Sequence, residues 1–216
     1  MLPVAQLYAR DVTNLPVPDG TDLLQVLWCP FEHDDDPEYV GMPKTTLFWR
    51  SAAAVTDILQ NPPEPAAVES SDYVPEPCVI DPEQIVEYPT QAEKWTAGQI
   101  AGTEPDDYDD DDPYDGLYIA PGWKVGGWID WVMTDPYPQP CPACGTPTEP
   151  LLTIATEEWS PHVPHWIPLE LNPTGIVQLV DRDSMHPTQV DIRGGYRQII
   201  RVCPISADHP HRALMQ

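Results

Sequence analysis

The chain has 216 residues, of which 41% are hydrophobic, so it is long enough to bury the core of one sizeable domain or of two small ones. Its net charge is −25 with ten basic residues, which argues against direct binding to nucleic acids or anionic membranes, because both carry the same sign as this surface. The sequence has neither an apolar run of membrane-spanning length nor a signal peptide, so we expect a cytoplasmic protein.

The charge is distributed unevenly along the chain. Residues 182–216 carry five basic and three acidic groups, a net charge of +2, whereas residues 1–181 carry a net charge of −27. Two interpretations are open. The acidic surface steers a basic protein partner toward the molecule, or it serves only to keep the protein in solution.

Twenty-nine prolines are spread through the sequence and exclude long helices, because each proline removes a backbone donor and restricts the residue before it. We therefore predict a mainly β (α+β) fold of antiparallel sheets, with one or two short helices and long proline-rich loops. The predicted strands are Leu23–Trp28, Thr45–Trp49, Leu117–Ile119, Leu151–Ala155, Gly175–Val180 and Tyr196–Val202.

Two segments have the start signals of short helices. Ser51 is a candidate N-cap for a helix over residues 51–59, which a pair of prolines then ends. Thr90 and Glu93 form a candidate capping box for a second helix over residues 90–100.

Two further segments are predicted to be loops from their composition. Residues 62–77 are rich in proline and alanine, which favours an extended surface segment. Residues 104–115 hold eight acidic side chains, typical of a solvated loop; calcium binding is the alternative, although the usual ligand pattern with its central glycine is missing. We predict a single domain with two sub-halves, about 1–100 and 117–216, joined by this acidic loop.

A weak internal repeat raises the hypothesis of a duplicated fold. One apolar strand runs into a Cys-Pro pair at Cys29, with His33 behind it, and another runs into a Cys-Pro pair at Cys203, with His209 behind it. Two copies of one strand-to-turn unit would give this pattern.

The five cysteines, an odd number that includes one Cys-x-x-Cys pair, fit a reducing compartment and a metal site better than a disulfide framework. The segment Cys141–Gly145 has the spacing of a knuckle in which two thiolates converge on one ion. Structural zinc needs two more ligands, and the candidates are Cys203 with His209 or His211, followed by Cys29 with His33. We predict one structural zinc bound by Cys141, Cys144, Cys203 and His209. The alternative is a tight turn without metal, in which Cys203 is a small buried hydrophobe.

Three tryptophans surround a pair of glycines and form the predicted ligand-binding set: Trp123, Gly126, Gly127, Trp128 and Trp131. Aromatic platforms bind glycans and other small molecules, and glycines let a ligand approach the backbone closely. The alternative is that the tryptophans belong to the core, since the sequence has only two phenylalanines.

A catalytic metal site is a weaker hypothesis. His162 and His165 could ligate a metal together with Glu157 and Glu158 upstream, as in a metal-dependent hydrolase. The sequence has no nucleophile elbow, phosphate loop or dinucleotide fingerprint, so no catalytic residue is assigned.

Three stretches resemble, in order, the core of the YwqG-like family of bacterial proteins of unknown function: residues 122–131, Cys141–Gly145 and residues 151–154. In that family a glycine pair precedes an aromatic residue, a Cys-x-x-Cys-Gly knuckle follows, and then an apolar strand. Residues 24–27 similarly resemble the family's earlier Leu-Gln strand. The resemblance implies a duplicated, β-sheet-dominated fold and, from relatives found near secreted-toxin systems, an immunity-like role in binding a partner.

Together these features favour a non-catalytic cytoplasmic binding protein with a structural zinc knuckle. The expected partner is a basic protein, and direct binding to nucleic acid or membrane is not expected. A small-molecule or glycan binder and a metal-dependent hydrolase are the alternatives.

Overall fold

The computed structural model describes residues 1–60, 64–90, 92–94, 119–171 and 182–216. In these residues the chain forms two antiparallel sheets, which confirms the predicted mainly β fold. The strands are β1 (Leu2–Tyr8), β2 (Leu23–Glu32), β3 (Pro43–Arg50), β4 (Lys124–Val125), β5 (Glu149–Ala155), β6 (Arg197–Val202) and β7 (Arg212–Met215). The short helical elements include 3-10 turns at Ala52–Ala54, Ser71–Tyr73 and Pro164–Trp166 and an α-helix at Arg182–Met185.

The first sheet has the order β1-β2-β3, with β2 in the middle. Along β2, Leu24, Val26 and Trp28 point to one face and are fully buried, as the two-residue period of a strand requires. The strand begins where it was predicted and continues past Trp28 to Glu32, and its pairing with β3 is irregular between these two residues.

The second sheet has the order β4-β5-β6-β7 and is covered on both faces. Ile199 and Ile200 are neighbours on β6, so they point to opposite faces. Ile200 lies in the main core, whereas Ile199 packs with Ile129 and Leu214 in a separate satellite cluster. The strands predicted at 151–155 and 196–202 correspond to β5 and β6.

The main core is shared by the two sheets. Leu24 and Trp28 from the first sheet belong to the same buried cluster as Leu151 and Ile154 from the second. The buried side chain of Gln198 on β6 also donates a hydrogen bond of 2.8 Å to the carbonyl at the start of β3. Segments from the two ends of the chain thus bury their apolar surface together.

The predicted helix over residues 51–59 is wrong. Ala52–Ala54 form a single 3-10 turn, and the predicted cap makes no side-chain hydrogen bond. Ile58 and Leu59 are 68% and 66% exposed, so a helix would have no core against which to bury an apolar face. The first amide of the turn instead donates to Asp22 Oδ1 at 2.6 Å, which fixes the segment next to the first sheet.

The predicted capping box is confirmed. Thr90 N–H donates to Glu93 Oε2 and Glu93 N–H donates to Thr90 Oγ1, both at 3.2 Å. Residues 92–94 are helical, and residue 91 and residues 95–100 of the predicted helix lie outside the described residues.

The predicted extended surface segment, residues 62–77, is wrong at Tyr73. This residue lies in the 3-10 turn and is 3% exposed, and its ring meets that of Trp28 edge-on at 6.2 Å. The Trp28 indole N–H donates to the Tyr73 carbonyl at 3.0 Å. The turn therefore places an aromatic ring over the core in the middle of a proline-rich segment.

Several other sequence predictions have partial outcomes or none. Residue 119 lies outside any strand, whereas the other residues of the strands predicted at 117–119 and 175–180, and the acidic segment 104–115, lie outside the described part of the chain. Strands β1, β4 and β7 were not predicted. Duplication stays a prediction. Cys29 lies within β2, which pairs with β3, and Cys203 directly follows β6, which pairs with β7.

Gly122 and Gly20 offer a matched pair of substitutions. Both have positive φ angles, +85° and +79°, which cost an alanine about 1–2 kcal/mol. A Cβ on Gly122 would lie 2.7 Å from the carbonyl oxygen of Glu158, whereas a Cβ on Gly20 would meet no atom within 4 Å. We expect urea denaturation to show that Gly122→Ala lowers the free energy of unfolding by about 2 kcal/mol more than Gly20→Ala does. Equal losses would contradict a steric role of the Glu158 backbone.

Candidate metal centre

The knuckle forms the tip of a short hairpin, residues 139–148, which a bridge between Pro140 and Pro147 closes. Cys141 N–H donates to the Thr146 carbonyl at 2.8 Å, and Gly145 N–H donates to the Cys141 carbonyl at 2.9 Å. Gly145 has a φ of +75°, a conformation that residues with side chains rarely adopt. This tight turn brings the two thiols of the Cys-x-x-Cys pair together.

Cys203 and His209 lie in the loop that connects β6 to β7. Cys203 is the first residue after β6, and the loop turns at Ser206, whose carbonyl accepts a hydrogen bond of 3.3 Å from His209 N–H. The turn brings His209 back to the end of the strand, so that its Nδ1 lies 3.3 Å from Cys203 Sγ.

The structure brings the four predicted ligands together, with all their ligand atoms within 4.8 Å of one another. Cys144 Sγ lies 3.6 Å from Cys203 Sγ, and His209 Nδ1 lies 3.6 Å from Cys141 Sγ. A tetrahedral zinc with Zn–S bonds of about 2.3 Å has S–S edges of about 3.8 Å, so this spacing suits one ion. We name these four residues the Cys3His group. Among the described residues, it is the group of His, Cys, Asp and Glu side chains whose ligand atoms lie close enough together to hold a metal ion.

The thiols of the Cys3His group differ in burial and acidity. Cys141 and Cys203 are 2% and 5% exposed, whereas Cys144 is exposed. The Thr146 hydroxyl, with Oγ1 3.4 Å from Sγ, lowers the pKa of Cys144 to about 6, and burial raises the pKa of Cys203. A bound metal ion would hold all three in the thiolate form.

Arg201 fixes the hairpin to β6 and was missed in the sequence. Its Nε donates to Thr148 Oγ1 at 3.0 Å, and its Nη2 donates to the Thr148 carbonyl. Thr148 N–H in turn donates to the Gln139 carbonyl at 2.9 Å. Burial lowers the pKa of Arg201 to about 10, which leaves the guanidinium charged at neutral pH. The strand that ends at Cys203 is thereby held against the hairpin that carries the knuckle.

The other candidate ligands lie elsewhere. His211 Nε2 lies 3.2 Å from Tyr39 Oη and 3.0 Å from Thr45 Oγ1, so this ring contacts β3. Cys29 and His33 are half-buried in and just after β2, and neither belongs to the Cys3His group. His209, rather than His211, is therefore the histidine of the group.

The three tryptophans of the predicted ligand-binding set have different surroundings. Trp123 packs against the main core, and its indole N–H donates to the Ala155 carbonyl at 2.8 Å. Trp131 packs against the satellite cluster and donates to Glu93 Oε1 at 3.0 Å. Trp128 is 40% exposed. Glycan or small-molecule binding by these residues stays a prediction, and Trp128 offers the most accessible ring of the three.

The glycine pair of this set forms a turn with φ angles of +69° at Gly126 and +74° at Gly127. A Cβ on Gly127 would overlap Oε2 of Glu87, whereas a Cβ on Gly126 would meet no atom within 4 Å. The group that approaches the backbone closely at Gly127 is therefore a side chain of the chain itself.

The residues of the predicted catalytic metal site are not gathered. His162 and His165 are exposed, on and beside the 3-10 turn Pro164–Trp166. Glu157 Oε1 instead lies 3.8 Å from His186 Nε2. Among the residues that the structure describes, these side chains do not join any metal-ligating group, and a hydrolase stays an untested hypothesis.

Glu158 is a half-buried carboxyl group that accepts a hydrogen bond of 3.3 Å from Trp123 N–H. Burial raises the pKa of Glu158 above its ordinary value. The folded state then binds this proton more tightly than the unfolded state, so the stability contribution is present below the ordinary pKa of glutamate and is lost as the pH rises through the raised pKa.

We therefore expect Glu158→Gln to stabilise the protein at pH 7 and to have little effect near pH 4, in urea denaturation at both pH values. Glu157→Gln is the control, because its carboxylate is 39% exposed. A Glu158→Gln effect of the same size at both pH values would contradict the expected titration.

Comparison with known proteins finds no match to a family model, a curated protein or a solved structure. The resemblance to the YwqG-like family stays a prediction. In the described part of the chain, no helix has both the length and the apolar character needed to cross a bilayer.

Proposed function

We propose that this protein is a non-catalytic binding protein whose fold is stabilised by one zinc ion in the Cys3His group. The observation that carries the proposal is the convergence of four ligand side chains from two separate segments. Cys144 and Cys203 are 59 residues apart in sequence, and their Sγ atoms lie 3.6 Å apart. One ion would therefore tie the knuckle hairpin to the loop between β6 and β7.

The donor set favours zinc in a structural role. Three thiolates and one imidazole suit Zn²⁺, and four protein ligands complete its tetrahedral coordination. A catalytic zinc keeps one coordination position for water or substrate. The closed Cys3His group therefore supports stabilisation of the fold rather than catalysis.

The net charge supports a role in binding a protein partner. The unpaired thiols support a reducing compartment, which we propose to be the cytoplasm. All five cysteines are unpaired, as is usual where glutathione keeps thiols reduced. The net charge of −25 supports a basic protein as the partner, because complementary charge accelerates the encounter of two proteins.

Metal content tests the zinc proposal. We expect one zinc ion per chain in the natively purified protein and a loss of at least about 90% of it in Cys144→Ser, because a hydroxyl is a poor replacement for a thiolate ligand. Cys78→Ser is the matched control, since Cys78 is an exposed thiol outside the Cys3His group, and it should keep its zinc. Zinc that survives Cys144→Ser, or a metal-free native protein, would contradict the proposal.

The salt dependence of association tests the binding proposal. We expect proteins captured by the native chain at low salt to be basic, and their association rates to fall at least about tenfold between 50 and 300 mM salt. Partners without a net positive charge, with rates that do not change with salt, would contradict steering by the acidic surface.

A further inference from the structure

Residues 77–86 form an exposed strap without regular structure. Its apolar side chains Val79, Ile80, Ile85 and Val86 are all exposed, and Val79 is fully so. On its N-terminal side the chain is held by Tyr73 and by Glu76 N–H, which donates to the Thr188 carbonyl at 2.8 Å. On its C-terminal side the first firm anchor is the side chain of Glu87.

The Glu87 carboxylate lies in a set of converging donors in residues 120–128, which we name the carboxylate site. Oε1 accepts hydrogen bonds of 2.7 Å from Ala120 N–H and from Lys124 Nζ, and Oε2 accepts one of 2.8 Å from Trp128 N–H. The Lys124 and Glu87 side chains are only 13% and 5% exposed. Two backbone amides and a buried ammonium are a strong donor set for a carboxylate.

The backbone of the carboxylate site is shaped for this contact. Gly127 has a positive φ and lies directly against Oε2 of Glu87, in space that a Cβ would fill. Lys124 Nζ also donates to the Trp128 carbonyl at 2.7 Å, which fixes the ammonium inside the loop. Arg197 and Asp130 nearby pair with each other at 2.7 Å, whereas Glu87 is the carboxylate in direct contact with the Lys124 ammonium, so its departure removes that ion pair.

We infer that residues 120–128 are a binding site for carboxylates, which Glu87 occupies as an intramolecular ligand and which an external carboxylate enters when Glu87 leaves. The external group is a glutamate or aspartate side chain or the C-terminal carboxylate of a peptide, since all present the same two oxygens. The inference does not depend on the zinc site or on a basic partner.

Because Glu87 is covalently attached to the strap, its effective concentration determines how strongly it competes with an external ligand. A carboxylate on a short flexible segment has an effective concentration in the millimolar range. A peptide should therefore bind the native chain at least about tenfold more weakly than a chain that lacks the Glu87 carboxylate.

The test is a titration of the 216-residue chain, monitored by NMR of the Ala120 and Trp128 amides, which contact the carboxylate directly. The variant is Glu87→Ala, and Glu83→Ala is the matched control, because Glu83 is an exposed acid of the strap. The probes are N-acetylated tetrapeptides: acetyl-Ile-Val-Glu-Tyr-amide, acetyl-Ile-Val-Gln-Tyr with a free C-terminus, and acetyl-Ile-Val-Gln-Tyr-amide, which has no carboxylate.

We expect the carboxylate peptides, but not the carboxamide peptide, to shift both amides in Glu87→Ala at concentrations at least about tenfold lower than in the native chain or Glu83→Ala. The difference between the first two peptides distinguishes a side-chain from a C-terminal source. Adding Lys124→Met to Glu87→Ala should weaken binding at least about tenfold.

Equal binding of the carboxylate and carboxamide peptides, or no binding to a folded Glu87→Ala chain, would overturn the inference. If Glu87→Ala does not fold, an acetate titration of the native chain provides the test. Acetate at a large excess over the millimolar effective concentration must then shift the Ala120 and Trp128 amides, and unchanged amides would overturn the inference.

Discussion

Cys141→Ser is expected to lower the free energy of unfolding by about 4 kcal/mol when free zinc is a thousandfold above its dissociation constant. The expectation follows from linkage: an ion that binds the folded chain and not the unfolded one stabilises the fold by its binding free energy. Cys141 is the most buried thiol of the Cys3His group, at 2% exposure, so a serine there would leave a poorly ligating hydroxyl in a dry site.

Urea denaturation with and without a chelator measures this effect. Chelation should destabilise the native chain by about the same amount as Cys141→Ser and should have no further effect on the variant. Cys29→Ser is the control, because this half-buried thiol lies outside the Cys3His group, and it should keep the full response to the chelator. An equal response to the chelator in the native chain and in Cys141→Ser would contradict a folding role for the metal.

The effect should be local before it is global. His209 and His211 lie in the same loop, and the His211 ring contacts Tyr39 and Thr45 next to and in the first sheet. Releasing His209 from a metal would loosen this contact as well. Hydrogen exchange should therefore rise first in the loop between β6 and β7 and in the knuckle hairpin, and later in β2 and β5.

Half of the metal centre is readable from the sequence, and half depends on the fold. The Cys-x-x-Cys-Gly spacing fixes two thiols in one turn, because the contacts that form it are local. Cys203 and His209 join them only because β6 pairs with β5 and ends beside the hairpin, with Arg201 bonded to Thr148. Local spacing therefore does not distinguish His209 from His211. In the fold, the turn at Ser206 brings His209 back toward Cys203.

Strand β1 was not predicted, and its buried residues do not follow a regular two-residue period. In β1, Leu2 and Leu7 are both buried although they are five residues apart, an odd spacing that contradicts a two-residue period. A register shift between Pro3 and Ala5 explains the pattern, because a bulge adds one residue to the strand and reverses which side chains point inward. Strand β2 has its irregularity at its far end and was therefore recognised.

The predicted helix over residues 51–59 failed for a complementary reason. Its alanines favour a helix locally, but short helices are marginal in water unless they bury an apolar face. Tyr73 is the reverse case: a proline-rich segment that suggests solvent exposure contains an aromatic ring that covers Trp28. In both cases tertiary packing, rather than local preference, decides the outcome.

Trp28→Ala is expected to destabilise the protein by about 3–5 kcal/mol, because it removes a large, fully buried side chain from the core shared by the two sheets. Two interactions are lost besides packing: the hydrogen bond from the indole N–H to the Tyr73 carbonyl at 3.0 Å, and the edge-on contact with the Tyr73 ring. Trp128→Ala is the matched control, and its 40% exposed ring should cost much less.

Trp28→Phe separates the two contributions. Phenylalanine keeps much of the apolar volume but cannot donate, so the buried Tyr73 carbonyl loses its partner at a cost of about 1–3 kcal/mol. We expect urea denaturation to rank the losses as Trp28→Ala, then Trp28→Phe, then Trp128→Ala. If Trp28→Phe were neutral, the indole hydrogen bond would not anchor the segment around Tyr73, and the buried ring would have to be held by packing alone.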